Sequence, residues 1–85
     1  MISQSFIISE DDLENRFLST FRHKLCTLMK CYTIRDLDIN EVEYSFYFKK
    51  THRINTIKMV DKKEYSGFYE IIPIEGKQFI LKIII

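Results

Sequence analysis

The stretch SEDDLENRFLSTFRHKLCTLMKCY, residues 9–32, decides the fold. Within it Leu13, Phe17, Phe21, Leu25, Leu28 and Tyr32 recur every three or four residues, which lines one side of a helix with large apolar groups. Ser9 stands just ahead of Glu10, Asp11 and Asp12. A capping oxygen and three carboxylates therefore meet the first unpaired amides and the positive end of the helix dipole, with Asp12 at the capping-box spacing. Arg22, His23, Lys24 and Lys30 fill the C-terminal half, where the dipole favours cations. The spacing predicts a single amphipathic helix of about six turns.

On either side of this helix the period changes to two. ISQSFIIS, residues 2–9, sets Phe6 and Ile8 against Ile7 and reads as a short leading strand. After it, TIRDLDIN at 33–40 reads as a polar connector. VEYSFYF at 42–48 alternates Val42, Tyr44, Phe46 and Phe48 with Glu43, Ser45 and Tyr47, as a strand with one buried side does. KKTHR at 49–53 reads as a turn, INTIKMV at 54–60 as the returning strand and DKKEYSG at 61–67 as the next turn. FYEII at 68–72 is a strand stopped by Pro73, and PIEG at 73–76 turns into the terminal strand KQFILKIII at 77–85.

The fold class expected is therefore α+β. One long N-terminal amphipathic helix packs on an antiparallel sheet of four to five strands, in the chain order strand-helix-strand-strand-strand-strand. Residues 1–85 have room for one domain with one core. The element order is similar to that of the cystatin-like fold among other small folds. The Gln-x-Val-x-Gly loop of cystatins is absent, so no inhibitory activity is carried over from that likeness.

Composition narrows the setting. No apolar run exceeds three residues, far short of the roughly 20 needed for a membrane helix. Cys26 and Cys31 are too few for a disulfide framework, and no charged and apolar leader opens the chain. These features set the expectation of a cytoplasmic protein, in the host cell if the source is viral. Fourteen Ile and nine Lys, with neither Ala nor Trp, fit AT-rich coding in a low-GC bacterium, archaeon, phage or virus.

The terminal strand raises the functional question. Phe79, Leu81, Ile83 and Ile85 fall on one side and Ile80, Lys82 and Ile84 on the other, yet a single helix covers only one side of a sheet. With Tyr47 and Val60, which lie opposite their own strands' main apolar sets, Ile80, Lys82 and Ile84 form a candidate partner-binding surface. Its occupant would be a second copy of the chain or a different protein. The function expected is a small protein-interaction or inhibitor module of a phage, virus or mobile element, acting through that second face or the terminal strand.

The alternative is an RNA-binding protein or a metal-independent ribonuclease. Lys49, Lys50, Arg53, Lys58, Lys62 and Lys63 against Asp61 give residues 49–63 a local charge of +5, in a chain whose net charge is +1. Lys49, Lys50, His52, Arg53, Lys62 and Lys63 are the nucleic-acid candidates, and His52 with Lys or Arg is the chemistry that metal-free RNA cleavage would need. The two turns carrying them stand at opposite ends of a seven-residue strand, about 23 Å apart at 3.3 Å per residue. His23 and Cys26 share a helix face, but without a third or fourth ligand they make no metal site, and without an orienting group they make no catalytic pair. Gly67 and Gly76 are the only glycines, and neither stands in a phosphate-binding loop. No catalytic residue, metal or cofactor is expected.

Overall fold

A computed structural model describes residues 2–30, 34–39 and 50–85. Its elements in chain order are β1 (Ser3–Ser9), α1 (Glu10–Asn15), α2 (Phe17–Met29), β2 (Ile34–Ile39), β3 (Lys50–Met59), β4 (Glu64–Ile74) and β5 (Gln78–Ile84). The five strands form one sheet in the order β1-β5-β4-β3-β2, antiparallel at every step. The helices pass from one edge strand, β1, to the other, β2. A four-strand meander then walks back until β5 lies beside β1.

Two expectations about this frame are corrected. The helix is not one long rod: α1 has six residues and α2 thirteen, separated by Arg16 at φ −135°, ψ 29°. The apolar spacing survives the break, because Leu13, Phe21, Leu25 and Leu28 are all buried and Phe17 packs against them. Periodicity reports which side is apolar and is blind to a one-residue bend. The break is framed by charge: Arg16 reaches Asp11 at 2.7 Å and Asp12 at 3.5 Å. Hydrogen bonds from the Asn15 and Arg16 side chains hold the Asp11 carboxyl below its ordinary range, with the Arg16 charge adding to them.

The strands also do not lie in the sheet in chain order, since the first neighbours the last. Strand order depends on pairing between residues distant in sequence, which no local period encodes.

The predicted cap is present. The Ser9 hydroxyl accepts from the Asp12 amide at 3.1 Å, and the Asp12 carboxylate accepts from the Ser9 amide at 3.3 Å. α2 closes on Lys30 in the left-handed region at φ 53°, whose amide donates to the carbonyls of Cys26 and Thr27.

Strand boundaries needed larger corrections. Residues 34–39, expected as connector, are β2, with Ile34 buried and Leu37 and Ile39 packed on the core. Residues 50–53, expected as turn, open β3. Glu64 to Gly67, also expected as turn, open β4, and β4 continues through Pro73 to Ile74. VEYSFYF at 42–48 lies outside the described residues.

Pro73 is tolerated for a reason found in the ladder. Ile2 and Ile85 exchange both backbone hydrogen bonds, so the even residues of β1 and the odd residues of β5 bond each other. The even residues of β5 then bond the even residues of β4, Phe68, Glu70, Ile72 and Ile74. The amide that Pro73 lacks would have pointed away from β5, beyond Lys50 where β3 begins, so the β4–β5 ladder loses nothing.

The core fills the space between the helices and one side of the sheet. Ile8, Phe79, Leu81, Ile83, Tyr69, Ile71, Ile54 and Ile57 face Leu13, Phe21, Leu25 and Leu28. Arg22 ties α2 to the far edge by donating to the Ile34 carbonyl at 3.2 Å.

Candidate functional site

The register assigns the residues of β1 and β5, most of β4 and the start of β3 to a side. Against the helices stand Phe6, Ile8, Phe79, Leu81, Ile83, Tyr69 and Ile71. On the opposite side stand Ser3, Ser5 and Ile7 of β1, Ile80, Lys82 and Ile84 of β5, Phe68, Glu70, Ile72 and Ile74 of β4, and Thr51 and Arg53 of β3. Ile7, Ile80 and Ile72 lie directly opposite one another across three strands and form one apolar row. Phe68 and Ile84 form a second apolar pair, and Ile74 lies one step along β4 from Ile72. Between the two runs the ladder sets Lys82 opposite Glu70, whose carboxylate accepts from the Thr51 hydroxyl at 3.4 Å.

This surface is accessible. Ile7 is 64% exposed, Phe68 49% and Ile74 36%, whereas Phe79, Leu81 and Ile83 on the helix side are essentially dry. Cross-strand Ile–Ile pairs stabilise a sheet by about 0.2–1 kcal/mol each. Ile72, Ile80 and Ile84 are half-buried by such pairing, while Ile7, Phe68 and Ile74 leave apolar area facing water.

Of the residues singled out in the sequence, Ile80, Lys82 and Ile84 stand on this helix-free side. Val60 does not join them: it lies past the end of β3, in the turn before β4. Tyr47 is outside the described residues. Ile7, Phe68 and Ile72, which also stand on this side, were not among them. Phe68 and Ile72 carried a usable signal in the alternation of FYEII, but their side became known only through their pairing with Ile84 and Ile80. The edge of the terminal strand is not open to a partner, because β5 is bonded to β1 on one side and β4 on the other.

The basic candidates are dispersed. His52 is not in a turn; it sits in β3, is 5% exposed and stacks on Tyr69 with ring centroids 4.8 Å apart and planes 14° from parallel. Arg53, the next residue, points to the helix-free side, in a shallow groove with Ser66, Phe68 and Ile84. Successive strand residues face opposite ways, so these two side chains do not converge on one substrate. Lys62 and Lys63 occupy the turn at the other end of β3, where the Lys63 ammonium is 3.9 Å from Asp61. Lys50 opens β3, and Lys49 lies outside the described residues. His23 is exposed on α2, Cys26 is a half-buried thiol packed on the core, and Cys31 is not described. Among the described residues no three His, Cys, Asp or Glu side chains are grouped to hold a metal ion, and no helix is long and apolar enough to cross a membrane.

Among the described residues Tyr69 is the most perturbed titratable group. It is fully buried among Phe17, Phe21 and His52, with ring centroids 5.8, 5.1 and 4.8 Å away. Burial disfavours the phenolate and pushes the phenol from its ordinary 10.0 up to about 12. The raised value means that the neutral phenol's contribution to stability is complete below pH 10 and is lost as pH rises toward 12. The urea midpoint of the wild-type protein should therefore fall across that interval. Tyr69→Phe, which keeps the ring and removes the ionisation, should show a flatter profile in parallel urea titrations; equal slopes would contradict the assignment.

Compared with family models, with curated proteins and with solved structures, the chain matches none.

Proposed function

We propose that this protein is a small interaction module that binds a protein partner through the helix-free side of its sheet. The observation that carries the reading is the pair of apolar runs on this side, the Ile7–Ile80–Ile72 row and the Phe68–Ile84 pair, of which Ile7 and Phe68 face water. Lys82 and Glu70 between the two apolar runs supply polar groups that fix orientation, as a few polar contacts do within apolar interfaces. The small size and the Ile- and Lys-rich composition suit a protein of a phage, virus or other mobile element, and on that reading the partner is a host protein.

The test compares what immobilised wild type, Phe68→Glu and a Lys62→Glu/Lys63→Glu double variant retain from lysate of the expressing cells. The expected result is a defined protein held by wild type and by the lysine variant and lost with Phe68→Glu, at moderate and high salt alike. Retention that survives Phe68→Glu would overturn the reading. So would retention that disappears with nuclease treatment or falls steeply as salt rises, as a phosphate-dominated complex does.

A further inference from the structure

The two edges of the sheet differ in a way that the helix-free side does not explain. β2, at one edge, carries Arg35, Asp36 and Asp38 among six residues, and its pairing with β3 shifts register twice. Charges and bulges of this kind keep an edge strand from pairing with another chain. β1, at the other edge, is SQSFIIS: seven residues with no charge and no proline, in unbroken register with β5.

The ladder also states which backbone groups of β1 face outward. Since its even residues bond β5, the amides and carbonyls of Ser3, Ser5, Ile7 and Ser9 point to the open edge. The Ser9 amide is already taken by the Asp12 carboxylate in the helix cap. Among the described residues no strand pairs with the remaining three. Ser3, Ser5 and Ile7 therefore present three donors and three acceptors in a straight row.

We propose that β1 pairs antiparallel with β1 of a second copy of this chain, on a two-fold axis through Ser5, to make one continuous ten-stranded sheet. That axis sets Ser5 opposite Ser5 and Ser3 opposite Ile7 in both directions. All three outward residues of each copy then exchange their hydrogen bonds, and the pairing stops where the cap has consumed the Ser9 amide. A second copy fits this edge because the row is self-complementary under a two-fold and β1 itself carries no charge. The contact also covers part of the exposed Ile7 and joins the helix-free sides of the two copies into a single surface. Pairing uses the edge rather than that side, so it stands apart from the protein-binding reading above.

The decisive experiment measures mass in solution by light scattering over a wide concentration range, for wild type, Ser5→Pro, Ser5→Lys and Phe68→Glu. The Ser5 amide makes no bond to β5, so Ser5→Pro removes an intermolecular donor while leaving the internal ladder intact. Ser5→Lys places a charge at the axis and serves if the proline variant fails to fold. Wild type and Phe68→Glu are expected at twice the chain mass, and folded Ser5 variants at the chain mass. Amide exchange adds a residue-level signature: Ser3, Ser5 and Ile7 should be protected in concentrated wild type and lose protection on dilution, while Gln4, Phe6 and Ile8 stay protected throughout. A wild type that is monomeric at every concentration overturns the proposal. A dimer that survives the folded Ser5 variants, or one that Phe68→Glu alone dissociates, also overturns it.

Discussion

Phe21→Ala is expected to lower stability by about 3–5 kcal/mol, the range for removing a buried aromatic ring. Phe21 has no exposed surface and lies where the two layers meet. Its ring sits 5.1 Å from that of Tyr69 across the core and 5.6 Å from that of Phe17 on its own helix. Removing it takes away the group that couples α2 to the centre of the sheet and leaves a cavity between a helix and a strand ladder, neither of which collapses easily. A domain of 85 residues has a total stability of about 4–13 kcal/mol at the usual per-residue scale, so the loss removes a large fraction of it and lowers the urea midpoint accordingly. Urea titration followed by circular dichroism measures it. Leu18→Ala, on the same helix but 53% exposed, is the control and should change stability by less than about 0.5 kcal/mol. Similar losses in both variants would mean that α2 is not packed on this face.

Gly67→Val should be the second large effect. Gly67 stands opposite Ile54, at the edge of a register shift between Ile54 and Ile57 on β3, and next to the Phe68–Ile84 pair. A β-carbon added at Gly67 would collide with the Ile84 carbonyl oxygen. The backbone φ of Gly67 is not positive, so the requirement is for close approach of two chains rather than for a left-handed turn. A flexible side chain could move aside, but a carbonyl within a strand moves only by opening the β4–β5 ladder. Overpacking of this kind costs about 1–3 kcal/mol, and the backbone obstacle places Gly67→Val toward the upper end. The amides at the C-terminal end of β5 should lose exchange protection before those of Phe79 and Leu81. At Gly76, by contrast, φ is +74° with open space around it, so Gly76→Ala should act through backbone strain alone and leave β5 protection uniform.

Much of this protein was readable one element at a time. The three- and four-residue spacing from Leu13 to Leu28 named the buried side of the helices, because any helix with that spacing carries its apolar groups on one side. Ser9 and Asp12 form the cap their spacing implied. The alternation in KQFILKIII divided Phe79, Leu81 and Ile83 from Ile80, Lys82 and Ile84 correctly, because a strand's period is two whatever lies next to it. Misreadings came where local composition and tertiary demand disagreed. Residues 34–39 carry charges at three of six positions and looked like a connector, yet an edge strand on an otherwise apolar sheet calls for such charges. KKTHR looked like a turn, yet its histidine is drawn inward to stack on Tyr69. Pro73 looked like a stop, but its missing amide points away from β5.

The sequence by itself determined the α+β class, the buried sides of α2 and β5, and the cap at Ser9, since each depends on residues within one or two turns of each other. Only the tertiary structure decided that β1 lies beside β5, that Ile7 lines up with Ile80 and Ile72, that His52 is buried, and that among the described residues no strand pairs with the outward amides of Ser3, Ser5 and Ile7. Those features depend on hydrogen-bond register between residues far apart in the chain, 81 positions in the case of Ser3 and Ile84. A one-residue slip in that register would turn every side chain to the opposite face without changing any local pattern.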